Sequence, residues 1–156
     1  GEYVMNYHNV TKCDMLNGEG ARVVLWVSGC THACPNCHNR QTWDKNSGIP
    51  FTSDVVDEIL QALSEPFCNG LTLSGGDPLA TYNYETVLDL CKLVKNQFPT
   101  KTIWIYTGYV FDEVKVKYPE ILDFIDVLVD GPYIERLKDK KLQYRGSSNQ
   151  NIIRLK

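Results

Sequence analysis

Four short apolar runs constrain this chain more than any other feature, because each ends in a turn signal. Arg22–Ser28 stops at Gly29, and Gly70–Ser74 runs into Gly75-Gly76-Asp77-Pro78. Thr102–Tyr106 stops at Thr107-Gly108, and Ile125–Val129 stops at Asp130-Gly131-Pro132. Apolar residues at helical spacing lie between them. Val55, Val56, Ile59, Leu60 and Leu63 follow Thr52-Ser53-Asp54, a run of good N-cap types, and end near Pro66. Tyr84, Val87, Leu88, Cys91, Val94 and Phe98 mark a second helix from about Asn83 to Phe98, stopped by Pro99. A weaker helix covers 111–118. Strand and helix alternating over such short connections imply right-handed βα units and a parallel sheet. A closed barrel of eight units needs about 250 residues, and this chain has 156. The expected fold is therefore α/β, a partial, open βα barrel of four to five parallel strands in a single domain, 1–156. An open side suits a large substrate better than a small molecule. Residues 7–20 read as a mixed segment ending in the turn Asn17-Gly18-Glu19-Gly20, and 133–156 as an irregular tail. Gly1–Val4, ahead of Met5, read as a vector-derived remnant.

Directly after Gly29 comes Cys30-Thr31-His32-Ala33-Cys34-Pro35-Asn36-Cys37, a C-x3-C-x2-C run. It falls on a loop beyond the carboxyl end of a strand, where α/β sheets and barrels carry their sites. Three soft thiolates on a short loop call for a thiophilic metal centre, zinc or iron–sulfur. A cubane iron–sulfur cluster normally takes four cysteines, so three would leave one iron open to a further ligand. A structural zinc could instead use the same thiols with His38 or His32 as fourth ligand. Zinc ribbons and fingers pair two ligands with two more across a longer gap, and no second pair is found here. A disulfide framework would leave one of the three unpaired. Cys91 falls in the apolar stripe of its helix and reads as a small core residue, and Cys13 and Cys68 take the same reading.

The Gly75-Gly76-Asp77-Pro78 turn lies at the same edge as the thiols, one strand–helix unit later. Two glycines let backbone groups touch a ligand directly. Taken alone such a turn is commonplace. The C-x3-C-x2-C spacing together with this turn resembles the radical S-adenosylmethionine (SAM) superfamily. The likeness narrows with Asn39 and Thr42-Trp43 after the thiols, Leu73–Leu79, Ile103–Tyr109, Val127–Gly131 and Arg145–Gln150. Together these are similar to the small activating components of class III (anaerobic) ribonucleotide reductases, over nearly the whole chain from Met5. The resemblance implies a [4Fe-4S] cluster on Cys30, Cys34 and Cys37. It implies SAM held by the backbone of Asn36-Cys37-His38 and by Gly75, Gly76 and Asp77, with Thr107, Asp130, Arg145 and Asn149 as candidates for further SAM or partner contacts. Asn36 stands where the superfamily often has an aromatic. The activity implied is reductive cleavage of SAM and formation of a glycyl radical on the large subunit of the reductase, fed by a low-potential donor such as a flavodoxin-type protein. The cysteine loop and the glycine turn are expected to act separately, so that a larger residue at Gly76 would weaken SAM binding and leave cluster assembly intact. Another radical SAM enzyme would share both motifs, and a zinc-stabilised binding module only the thiols.

A net charge of −3 and a pI near 5.6 argue against a nucleic-acid binder. The basic residues Arg136, Lys138, Lys140 and Lys141 are interleaved with Glu135 and Asp139 and read as a solvated segment. No apolar run approaches 18 residues, so no membrane span is expected. Free thiols beside a metal motif fit a reducing cytoplasm.

Overall fold

The computed structural model describes residues 5–29, 48–132, 137, 144–145 and 147–155. Arg136, Lys138, Lys140 and Lys141 lie outside them. In chain order the elements are β1 (Asn6–Asp14), β2 (Ala21–Val27), β3 (Ile49–Pro50), α1 (Ser53–Leu63), β4 (Cys68–Gly75), α2 (Thr81–Gln97), β5 (Thr102–Tyr106), α3 (Phe111–Lys117), β6 (Val127–Asp130) and β7 (Asn151–Arg154). A short 3-10 turn, Pro119–Asp123, leads into β6. The seven strands of the described residues join one mixed sheet in the order β3-β1-β2-β4-β5-β6-β7. The four strands expected from the apolar runs are its centre and pair in parallel, β2 with β4, β4 with β5 and β5 with β6. No helix of the described residues is long and apolar enough to cross a membrane.

Alternation along each strand sorts the side chains into two layers. Val23, Leu25 and Val27 of β2, Leu71 and Leu73 of β4, Ile103 and Ile105 of β5 and Leu128 of β6 bury in one cluster. Val56, Ile59 and Leu63 of α1, Val87, Cys91 and Val94 of α2, and Val114 of α3 close that cluster from above. The three helices therefore cover one face of the sheet. Trp104, Val127 and Val129 point to the opposite face, where they pack with Tyr106, Tyr144 and Ile152.

Arg22 also lies on that opposite face, fully buried near the amino-terminal edge. Its five N–H groups are all spent: Nε donates to Thr72 Oγ1, Nη1 to Glu19 O and Thr102 Oγ1, and Nη2 to Leu71 O and Thr102 O, at 2.8–3.0 Å. Its guanidinium stacks over Trp104 at 5.6 Å. Burial pushes the Arg22 pKa down to about 10, and nearby acidic groups only partly offset that. A buried cation is tolerated here because every donor has a partner and an aromatic face lies beside it.

Three features depart from the sequence reading. Residues 6–14 form β1, antiparallel to β2, and only Tyr7 of that strand is buried. Register shifts between Tyr7 and Asn9 and between Thr11 and Asp14, with Cys13 at φ 61°, break the alternation that would have marked it. Residues 151–154, within the stretch expected to be irregular, pair antiparallel with β6 as the sheet edge. Cys13 is exposed, while Cys68 and Cys91 are buried as expected.

Candidate functional site

The four parallel strands deliver their carboxyl ends to one edge, with Val27 beside Gly75 and Tyr106 beside Val129. Each expected turn follows there: Ser28-Gly29, Gly75–Pro78, Thr107-Gly108 and Asp130-Gly131. Cys30, Cys34, Cys37, Asn36 and His38 lie outside the described residues. Gly29, the residue before Cys30, is described, and so are Gly75, Gly76, Asp77, Thr107, Asp130, Arg145 and Asn149.

The glycine turn is built directly on the start of the cysteine loop. Gly76 N donates to Val27 O at 3.0 Å, and Asp77 N to Gly29 O at 2.7 Å. A Cβ on Gly76 would strike Gly29 O and stand 2.8 Å from Gly29 C and 3.0 Å from Gly29 N. Gly75 holds φ 109°, a conformation L side chains rarely adopt, and a Cβ there would meet the Val27 backbone. Both glycines are thus required by backbone-on-backbone contact with residues 26–29. The glycine turn is therefore in contact with the residue ahead of the cysteine loop, and a side chain at Gly76 must displace that residue, which precedes the first thiol.

Asp77 is buried and its carboxylate binds the next strand end. Oδ1 accepts from Leu79 N at 2.9 Å and from Thr107 Oγ1 at 2.8 Å, and Oδ2 accepts from Gly108 N and Thr107 Oγ1, both at 3.0 Å. Thr107 N donates in turn to Val129 O at 3.0 Å. Asp130, also buried, accepts from Phe111 N at the start of α3 and from Asn151 N at the start of β7. Arg145 Nη1 donates to Gln150 O, while Asn149 Nδ2 donates to Pro132 O and Gln150 Nε2 to Gly131 O, which seats Asn149 and Gln150 against the end of β6. The side chains of Asp77, Thr107, Asp130, Arg145 and Asn149 thus all take part in strand-end hydrogen bonding.

Sequence reasoning missed two residues on the first turn of α2. The Tyr82 ring lies against Gly29, with its Oη 2.7 Å from where a Cβ would stand. Asn83, buried at 1% exposure, places its amide between the loops, Nδ2 donating to Ser28 O at 2.8 Å and to Asp77 O at 3.0 Å. The signal for Asn83 was weak, since an asparagine near a helix start is ordinarily read as a cap.

The donor chemistry suits an iron–sulfur cluster: three thiols, the first attached directly to a residue clamped under the glycine turn. Among the described residues no three His, Cys, Asp or Glu groups come together as a metal site. Cys91 offers no thiolate either, since burial pushes its thiol up to about 12. The glycine turn has backbone groups and no side chain at the same edge, which suits a ligand bound through its polar end.

Comparison with known proteins agrees with this chemistry. The family model described as a 4Fe-4S single cluster domain matches residues 16–153. An anaerobic ribonucleoside-triphosphate reductase-activating protein of Escherichia coli is 44% identical over 154 residues, covering 97% of this chain and 100% of the relative. The protein of the same name from Enterobacteria phage T4 is 47% identical over 148 residues, covering 95% of this chain and 93% of its own length. That of Haemophilus influenzae is 44% identical over 154 residues, covering 97% and 99%.

Proposed function

The chain belongs to the 4Fe-4S single cluster family and, within it, to the anaerobic ribonucleoside-triphosphate reductase-activating proteins, and from that premise we propose that it generates a glycyl radical on the large subunit of an anaerobic ribonucleotide reductase. The cluster is a [4Fe-4S] group held by Cys30, Cys34 and Cys37, and the cosubstrate is SAM. When bound, cluster and SAM together supply the one-electron chemistry that cleaves SAM reductively. The protein's own part is to hold, orient and shield them. One observation carries this reading: the backbone N–H groups of Gly76 and Asp77 are hydrogen-bonded onto Val27 and onto Gly29, the residue that precedes Cys30.

The roles then follow position. Gly75, Gly76 and Asp77 offer backbone groups to the amino-acid end of SAM, alongside the backbone of Asn36-Cys37-His38. Asp77, Thr107 and Asp130 use their side chains to keep the strand ends in place and meet SAM through the backbone. Arg145 and Asn149 shape the rim that faces the partner. No acid–base pair is needed, because the hydrogen removed is a backbone Cα–H of the partner. The four parallel strands are the wall of a partial βα barrel with its helices outside, in one domain. The open side admits a glycine loop of the reductase, and the partner's surface completes the enclosure. A low-potential donor of the flavodoxin type supplies the electron, in the cytoplasm.

The test is to reduce the reconstituted protein without oxygen and add SAM with and without the large reductase subunit. 5′-Deoxyadenosine and the electron paramagnetic resonance (EPR) doublet of a glycyl radical are then recorded. Slow, uncoupled cleavage alone, and cleavage tied to the doublet with the partner, is the expected result. Coupled turnover of a small molecule alone, or no doublet on the reductase, removes this assignment.

A further inference from the structure

We propose that Asn83 is a positioning residue for this site, its buried amide setting the distance between the start of the cysteine loop and the glycine turn. The inference rests on the functional reading above and adds to it a residue on α2 that belongs to neither motif. The geometry leaves the amide little freedom. Both N–H bonds of Nδ2 are used, one on Ser28 O at 2.8 Å and one on Asp77 O at 3.0 Å. Two carbonyl oxygens can only be met by a donor, so the NH2 and not the carbonyl of the side chain must face them. Ser28 is two residues before Cys30, and Asp77 follows the two glycines. A single NH2 group therefore spans the two loops, from a helix that contributes Val87, Cys91 and Val94 to the core. Asn83 N also donates to Ala80 O at 2.8 Å, which fixes the residue in the first helical turn.

The hydrogen bonds from Gly76 and Asp77 to Val27 and Gly29 set the contact between the loops, but they are backbone bonds between turn residues, outside any helix. The amide adds a tie to a rigid element, and positions held from rigid elements are the more accurate ones. Losing it removes no thiol and no backbone group of the glycine turn. What it changes is how well a ligand can meet both loops at once, which is an affinity and spectroscopic effect.

The experiment compares parent, Asn83→Ala, Asn83→Ser and, as a control on the same helix, Thr86→Ala, a buried residue one turn further on that makes no hydrogen bond to either loop among the described residues. Each protein is reconstituted anaerobically. Iron content, thermal midpoint, SAM affinity by calorimetry and the SAM-induced change in the EPR signal of the reduced cluster are measured. Asn83→Ala is expected to load iron as the parent does, to bind SAM about tenfold more weakly, equivalent to about 1.4 kcal/mol, and to show a diminished SAM-induced change. Thr86→Ala is expected to lose thermal stability with unchanged affinity and spectrum. Asn83→Ser retains a donor for one carbonyl and decides the matter if the alanine variant does not fold; it should fall between parent and alanine. A folded Asn83 variant with parental SAM affinity and parental spectral change overturns the proposal. A parent that binds neither iron nor SAM removes the functional reading instead, so the two failures are told apart.

Discussion

Gly76→Ala is the substitution in which the geometry makes the sharpest demand. The new Cβ would be 2.8 Å from Gly29 C and 3.0 Å from Gly29 N, with Gly29 O closer still. Ordinary contact for such atoms begins at about 3.5 Å, so the two backbones must part by roughly 0.7 Å or more. No flexible side-chain end is available to give way, because every atom struck is backbone. Parting them stretches two hydrogen bonds, Gly76 N to Val27 O and Asp77 N to Gly29 O, now 3.0 and 2.7 Å. A net contribution of about 1 kcal/mol for each bond, plus the cost of leaving groups unpaired, puts the loss at about 2–4 kcal/mol. The strain passes straight to Cys30, one residue beyond Gly29. Urea unfolding of the metal-free protein reads the stability, and iron content after anaerobic reconstitution reads the loop. The expected result is a lower midpoint together with reduced iron loading. Full loading at parental stability would show that the contact between Gly76 and Gly29 is dispensable and that the loops are independent after all.

Protein purified without oxygen should be brown; Cys30→Ser, Cys34→Ser and Cys37→Ser should each abolish the cluster, and Cys91→Ser should keep it, as read by absorbance and iron analysis. One zinc and no iron in the parent would remove the redox reading altogether. The buried thiol of Cys91 also predicts a pH dependence. Its pKa is raised by burial from 9.0 to about 12, so the unfolded chain ionises first and stability is lost as pH rises above 9. At pH 10 the loss from this group is about 1.4 kcal/mol relative to pH 8. Cys91→Ala should lack that part of the decline in urea unfolding at the two pH values, and an equal decline in both proteins would refute it.

The elements legible in the sequence were those whose burial writes a period into the chain. β2, β4, β5 and β6 are covered on both faces and read as apolar runs, and α1 and α2 carry one apolar stripe each. β1 was hidden because only Tyr7 of it is buried and its two irregularities shift the alternation. β7 was hidden because four residues carry too little pattern, and its pairing with β6 is a contact across the fold. The site shows the same division. The glycine pair, Asp77, Thr107 and Asp130 were legible as motifs at strand ends, while the thiols lie outside the described residues. That Asp77 and Thr107 would turn toward each other, or that Asn83 would reach both loops, depends on how helix and strands are juxtaposed. Arg22 is the counterpart in the core, a charged residue in an apolar run whose five acceptors come from four separate residues.

The strand-end bonds also form a connected set, and this bears on how so small a protein could hold an exposed site in place. Asn83 ties Ser28 after β2 to Asp77 after β4. Asp77 ties that turn to Thr107 and Gly108 after β5, and Thr107 ties β5 to Val129 of β6. Asp130 then reaches forward to β7 and across to α3. Each parallel strand end is thus bonded to the next through at least one buried side chain or backbone group. A closed barrel achieves such rigidity by closing on itself, whereas a single sheet with two edges must obtain it from cross-links at the rim. The carboxylates of Asp77 and Asp130 serve that purpose in buried positions, where such bonds are strongest: Asp77 accepts from Leu79 N, Gly108 N and Thr107 Oγ1, and Asp130 from Phe111 N and Asn151 N. On this view the acidic residues at the rim are there for their capacity as acceptors. Replacing one by its amide would convert an acceptor into a donor facing other donors, and loosen the edge on both sides of it.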